Sequence, residues 1–215
     1  MDLMQTRTTR ILAGLAAAPI AIALADLANP QWSWVEVMGS HFVNGRAGWL
    51  ITIAGVAAAT ASASLIAPAA AYTRGHRAGL WLIGVWAVGM LIAGLVPADP
   101  PGQWDDPSAA NLVHGLGGLA AFLALPAAAL LLTRTWLRDE RWRRAHRPLA
   151  VAAATTVVTL CAFAVAWVDV IDGPQLGVGP YPSVVGLLER VMIWSYAGWL
   201  AVVAVALHRM RPEEG

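Results

Sequence analysis

Six long apolar runs separated by short polar stretches set the pattern of this chain. They cover residues 11–27, 48–72, 79–96, 111–136, 149–171 and 184–208. A membrane-crossing helix needs about 20 mostly apolar residues to cover roughly 30 Å of hydrocarbon. All six runs are rich in alanine, leucine and valine with interspersed glycine, as suits helices that pack through small residues. The pattern predicts an all-α fold: a polytopic membrane helix bundle of six transmembrane helices, forming a single domain over residues 1–215.

Charge gives that bundle an orientation. All fourteen basic residues are arginine. Arg7, Arg10, Arg74, Arg77, Arg134, Arg138, Arg141, Arg143, Arg144, Arg147, Arg209 and Arg211 flank alternate ends of the runs. The opposite ends carry Asp26, Glu36, Asp99, Asp105, Asp106, Asp169, Asp172 and Glu189. Cytoplasmic loops hold the excess of Lys and Arg, so a multi-pass protein of the cell membrane with N-terminus and C-terminus cytoplasmic is expected. A competing reading makes the first run a cleavable signal peptide, with Arg7 and Arg10 before the core and Ala23-Leu24-Ala25 as a small-residue cleavage site. A retained first helix is the favoured reading, because the run is nearly long enough to span.

Composition agrees with a membrane setting. Hydrophobic residues make up 58% of the 215 and charged residues 13%, with a mean hydropathy of +0.61; soluble domains carry about 25% charged residues. The net charge of +1 and the lack of a basic stripe across a domain exclude a nucleic-acid binder. The run from Arg138 to Arg147 reads as an orientation anchor that touches anionic lipid. Cys161 is alone, so no intramolecular disulfide forms, and it reads as an apolar filler.

The outer connections differ in kind. Residues 28–47 hold Trp32, Trp34, Glu36, His41, Asn44 and Arg46, and their tryptophans predict an interfacial segment on the outer leaflet. PADPPGQWDDPS (residues 97–108) and DGPQLGVGPYPS (residues 172–183) are proline- and glycine-rich turns. Trp32, Trp34, Trp104, Trp136 and Trp142 fall at interfaces, whereas Trp86, Trp167, Trp194 and Trp199 lie within spans.

Candidate chemistry gathers at the outer face. Asp26 ends the first run, Asp99 follows the third, and Asp169 and Asp172 close the fifth. Asn111 and His114 share one helix face at the start of the fourth, where Ser108 or Asn111 suits a helix cap. Glu189 lies about one and a half turns into the sixth run. A charge within hydrocarbon costs about 2.5–3.5 kcal/mol on insertion scales, so it faces the bundle interior, a partner or a wet cavity. Neighbours on a helix point about 100° apart, so Glu189 and Arg190 do not pair with each other. His114 is the expected partner of Glu189. Asp105 and Asp106 read as solvated turn formers. One deep histidine among scattered acids offers no metal-ligand spacing, and no cofactor motif occurs.

GLVPAD (Gly94 to Asp99), the loop leading to His114, and GLLER (Gly186 to Arg190) resemble the domain-of-unknown-function 998 family of six-span membrane proteins. The resemblance covers most of the chain and implies an integral membrane protein of this layout, with no activity attached. By resemblance the motif positions are Pro97, Asp99, His114, Glu189 and Arg190.

Three functional readings follow. The first is a small integral membrane protein whose polar site binds or acts on a membrane lipid or isoprenoid-like small molecule. The second is an acid-initiated enzyme in the manner of membrane terpene cyclases. Glu189, Asp169 or Asp26 would protonate an olefin or epoxide, His114 or a second carboxylate would accept a proton, and Trp86, Trp167, Trp194 and Tyr196 would hold the cation. Asn111 would help seat the substrate, and a lipid hydrolase built on Asp99 and His114 is a variant. The third is a non-catalytic membrane subunit with the polar cluster as interhelical glue. A transporter is disfavoured, since the cytoplasmic half of the spans lacks the ionisable groups of a continuous polar path.

Overall fold

The computed structural model describes residues 3–74, 77–103, 106–174 and 176–210. Six helices appear where the apolar runs predict them: α1 (Leu3–Ala28), α2 (Trp49–Ala71), α3 (Ala78–Leu95), α4 (Ala109–Trp136), α5 (His146–Asp172) and α6 (Val185–Arg209). All six contain segments long and apolar enough to cross a membrane. Among the described residues no strand forms beyond an isolated bridge between Val178 and Tyr181. Trp104 and Asp105 of the outer loop 97–108, together with Arg211, lie outside the described residues.

Each helix packs on its chain neighbours and α6 closes the ring against α1. Outward positions stay apolar, as lipid requires: Leu24, Ile53, Val85, Leu116, Leu130, Val151, Val158 and Val165 are all exposed. The apolar residues turned inward form a core of alanines and large rings, among them Trp86, Tyr196 and Trp199. Without a hydrophobic driving force between helices in lipid, close backbone approach supplies the attraction. At the α3–α4 crossing a Cβ on Gly89 would sit 2.4 Å from the Gly117 carbonyl oxygen. That seam therefore depends on glycine.

The tryptophans depart from the interfacial expectation at two positions. Trp136 and Trp142 are buried and stack at 4.0 Å between ring centroids, with Trp199 against the other side at 6.2 Å. A buried indole N–H needs a partner. Trp136 donates to the Thr73 hydroxyl at 3.1 Å and Trp199 to the Thr133 hydroxyl at 3.2 Å. The exposed indoles at helix starts are instead Trp49 and Trp81.

Residues 29–48 join α1 to α2. They fold back over the ends of the helices as a cap that includes a short 3₁₀ turn, Gly39–Asn44. Phe42 and Val35 are buried in the bundle, and the Leu187 N–H of α6 donates to the Val35 carbonyl at 2.9 Å. The reason lies in the charged groups beneath the cap.

Candidate functional site

Arg190 sits in the first turns of α6, only 2% exposed. A guanidinium cannot shed its proton in a protein and carries five donors, so burial demands acceptors in several directions. Asp26, at the end of α1, takes two of them: Nε donates to Oδ2 at 2.9 Å and Nη2 to Oδ1 at 2.5 Å. Nη1 donates to the Val37 carbonyl of the cap at 3.0 Å and to Gly186 at 2.8 Å. The face of the group lies 5.2 Å from the Phe42 ring centroid. One arginine thus ties α1, α6 and the cap together. The cap comes close enough because residue 186 is glycine: a Cβ there would sit 2.4 Å from the Val37 carbonyl oxygen.

Glu189 is 5% exposed and differs from its neighbour. Its Oε2 accepts from the Gly39 N–H of the cap at 2.5 Å, the single hydrogen bond it makes among the described residues. A carboxylate offers about four lone-pair directions, so most of its accepting capacity is unspent. The expected bond to His114 is not made. His114 Nδ1 donates to the Val96 carbonyl at 2.8 Å instead, which ties the start of α4 to the end of α3. His114 still lies within electrostatic reach of Glu189, along with Arg190 and Asp26.

Helix geometry explains why the two face one another. The α4 and α6 helices start at the same face of the bundle, and the Tyr196 hydroxyl donates to the Phe122 carbonyl at 2.8 Å, fixing their relative height. At about 1.5 Å per residue, His114 lies about 12 Å above Phe122 and Glu189 about 10 Å above Tyr196. The stripe His114–Gly118–Phe122 on α4 therefore looks across at Glu189–Ile193–Tyr196 on α6. Within the α4 stripe Gly118 is buried, yet a Cβ on it would meet no atom within 4 Å. This opening contrasts with the tight α3 side of the same helix. Phe122 and Phe163, 5.6 Å apart edge to face, stand beneath it with Trp167 stacked on Phe163 at 6.5 Å.

The remaining acids build loops. Asp99 is buried, and its Oδ1 and Oδ2 accept from the Ser108 hydroxyl at 2.6 Å and the Ser108 N–H at 2.8 Å. These bonds hold its carboxyl below the usual range, with a smaller contribution from the His41 charge. Ser108 caps α4 by accepting from the Asn111 N–H, and the Asn111 side chain accepts from the Asp99 N–H at 3.1 Å. From the cap, His41 Nδ1 donates to the Asp99 carbonyl at 2.6 Å and the Asn44 amide to Ala98 at 2.9 Å. Asp169 accepts from the Leu176 N–H at 2.8 Å and orders the α5–α6 connection, while its buried Oδ1 has no hydrogen-bond partner among the described residues. No hydrogen bond joins it to Glu189, Asp26 or His114.

The aromatic candidates scatter. Trp86 is 1% exposed, donates to the Ser62 hydroxyl at 2.9 Å and packs edge-on to Tyr196 in the core. Trp167 is half-buried, and Trp194 is exposed on the outside of α6. Among the described residues no group of three or more His, Cys, Asp or Glu is placed to hold a metal. The Asp26–Arg190 pair was the part that sequence reasoning missed. Its only signal was an arginine inside an apolar run, which requires a buried acid somewhere.

A family model described as "Protein of unknown function (DUF998)" matches residues 12–206. The chain belongs to this family. The match runs from α1 through nearly all of α6, so the cap, the Asp26–Arg190 pair, Glu189 and His114 all lie within the family's domain. No curated protein and no solved structure matches the chain.

Proposed function

We propose that this membrane protein binds a lipid-derived ligand in the half of the bundle that holds Glu189 and His114. The observation that carries the reading is Glu189 itself. A carboxylate 5% exposed and accepting one hydrogen bond faces the α4 stripe that carries His114 and the open position at Gly118. A carboxylate has further lone-pair directions to fill, and a ligand that donates hydrogen bonds would occupy them. The complement is a hydroxyl or amine on an apolar tail, with the head at Glu189 and His114 and the tail along Gly118 and the Phe122–Phe163 rings.

Binding is favoured over acid-initiated chemistry by what the other acids do. Asp26 is committed to Arg190 through two bonds, Asp99 to Ser108 and Asp169 to Leu176. Trp86 and Tyr196 are packed in the core with their polar atoms bonded.

The test is photo-crosslinking in nanodiscs with a diazirine-bearing long-chain alcohol and a diazirine-bearing alkane as control. Alcohol label is expected on residues 114–122 and 189–196, and Gly118→Leu, which fills the opening, should abolish it without lowering thermal stability. Equal labelling by the alkane, or alcohol labelling that Gly118→Leu leaves intact, refutes the reading.

A further inference from the structure

At the arginine face a cleft of 550 Å³ opens between the end of α2 and the end of α4, lined by Tyr72, Arg74, Thr135, Trp136, Arg138, Asp139 and Glu140. The floor is rigid. Trp136 is fully buried between Trp142 and Trp199, and its N–H is bonded to Thr73. The wall is rigid as well, because Arg141 is spent on structure. Its Nε and Nη2 donate to the Asp139 carboxylate, Nη2 also reaches the Tyr72 carbonyl at 3.2 Å, and its guanidinium lies 5.7 Å from the Tyr72 ring centroid.

Charge in the cleft is therefore unequal. Arg141 holds the Asp139 carboxyl down to about 2 and neutralises it. Glu140 pairs with Arg143 at 3.5 Å on the open surface. Arg74 and Arg138 line the same cleft and make no side-chain hydrogen bond or ion pair among the described residues, although the Arg74 charge also acts on Asp139. Two guanidinium groups free of hydrogen bonds in one cleft make a receptor for a tetrahedral oxyanion, since the planar fork matches phosphate geometry. Exposed Trp81 and Leu137 beside these helix ends mark the membrane boundary. The volume is far more than the roughly 30 Å³ of one water, so the cleft takes a headgroup rather than a lone ion.

We infer that this cleft binds the phosphate of an anionic phospholipid headgroup, with Arg74 and Arg138 as its ligands. The site lies at the opposite face from Glu189 and does not depend on the ligand proposed there.

Native mass spectrometry of the full chain with phosphatidylglycerol and phosphatidylcholine tests it. Phosphatidylglycerol is expected to be retained preferentially. Arg74→Gln and Arg138→Gln should each weaken that retention about fivefold, the factor that corresponds to one basic residue at an anionic surface. Arg147→Gln, outside the cleft, should change it little. Glu140→Gln removes an acid from an exposed rim position and should strengthen retention, a gain that a folding defect does not produce. An equal loss in Arg147→Gln overturns the site in favour of diffuse surface charge. Displacement of phosphatidylglycerol by inorganic phosphate at matched concentration overturns the lipid source in favour of free phosphate.

Discussion

Replacing Asp26 by alanine isolates the contact on which the capped end of the bundle turns. The substitution removes both acceptors from Nε and Nη2 of Arg190, a residue 2% exposed, while the bonds to Val37 and Gly186 remain. A hydrogen bond to a charged group is worth about 1.5–3 kcal/mol, so two of them give about 3–6. Breaking a buried ion pair from one side costs about 3–5 kcal/mol, because the surviving charge stays buried. An ordinary interhelical hydrogen bond in a bilayer averages only about 0.6 kcal/mol. The Asp26 side chain is 15% exposed, so water partly re-solvates the orphaned guanidinium and the expected loss is about 3 kcal/mol. Asp26→Asn keeps one acceptor and should lose about half of that. Reversible unfolding in mixed detergent–SDS micelles, followed by tryptophan fluorescence, measures both. Arg190→Met should be combined with Asp26→Ala in a double-mutant cycle, and a coupling of about 2 kcal/mol is expected. A loss below about 1 kcal/mol for Asp26→Ala, or additive single effects, would show that the pair is no more than average interhelical glue.

Other outcomes follow from the same geometry. Gly186→Ala places a Cβ 2.4 Å from the Val37 carbonyl oxygen; overpacking of this kind costs about 1–3 kcal/mol, and limited proteolysis should then cut residues 29–48 faster than in the parent chain. Burial holds the His41 imidazole below its ordinary 6.5, against the opposing pull of the Asp99 carbonyl and charge. The unfolded chain takes up a proton near pH 6.5 before the folded one does, so this contribution is complete above 6.5 and is lost as pH falls toward the folded value. Thermal melts at pH 7 and pH 5 should show that loss, and His41→Gln should flatten it; an unchanged slope would assign the effect elsewhere. Trp199→Ala empties a fully buried site and orphans Thr133, for about 3–5 kcal/mol. Trp194→Ala, at 47% exposure, should stay within about 0.5 kcal/mol in the same unfolding assay.

What the sequence determined by itself was the number, extent and alternation of the helices. Hydrocarbon requires every backbone polar group to be satisfied within the segment, so a 20-residue apolar run admits one local solution, and its ends fall within a few residues of the polar stretches except at α1, which begins eight residues earlier at Leu3. Segregation of arginines from acids was equally legible, since it is a property of loops and not of packing. Lateral partnership was decided only by the tertiary structure. Two acids at similar depth, Asp26 and Glu189, are indistinguishable in sequence, yet one is consumed by Arg190 and the other keeps its accepting capacity. His114 turned to the Val96 carbonyl because the 96–108 connection brings the start of α4 back beside the end of α3. Trp136 and Trp142, at positions that read as interfacial, went inward because the α4–α5 connection folds beneath the bundle and brings their rings face to face. Residues 29–48 form a cap, and the Val37 carbonyl in it gives the buried guanidinium an acceptor that one carboxylate does not provide. Burial cost marks which residues need partners; the rotation of each helix about its own axis, which six uniformly apolar faces leave undetermined, chooses them.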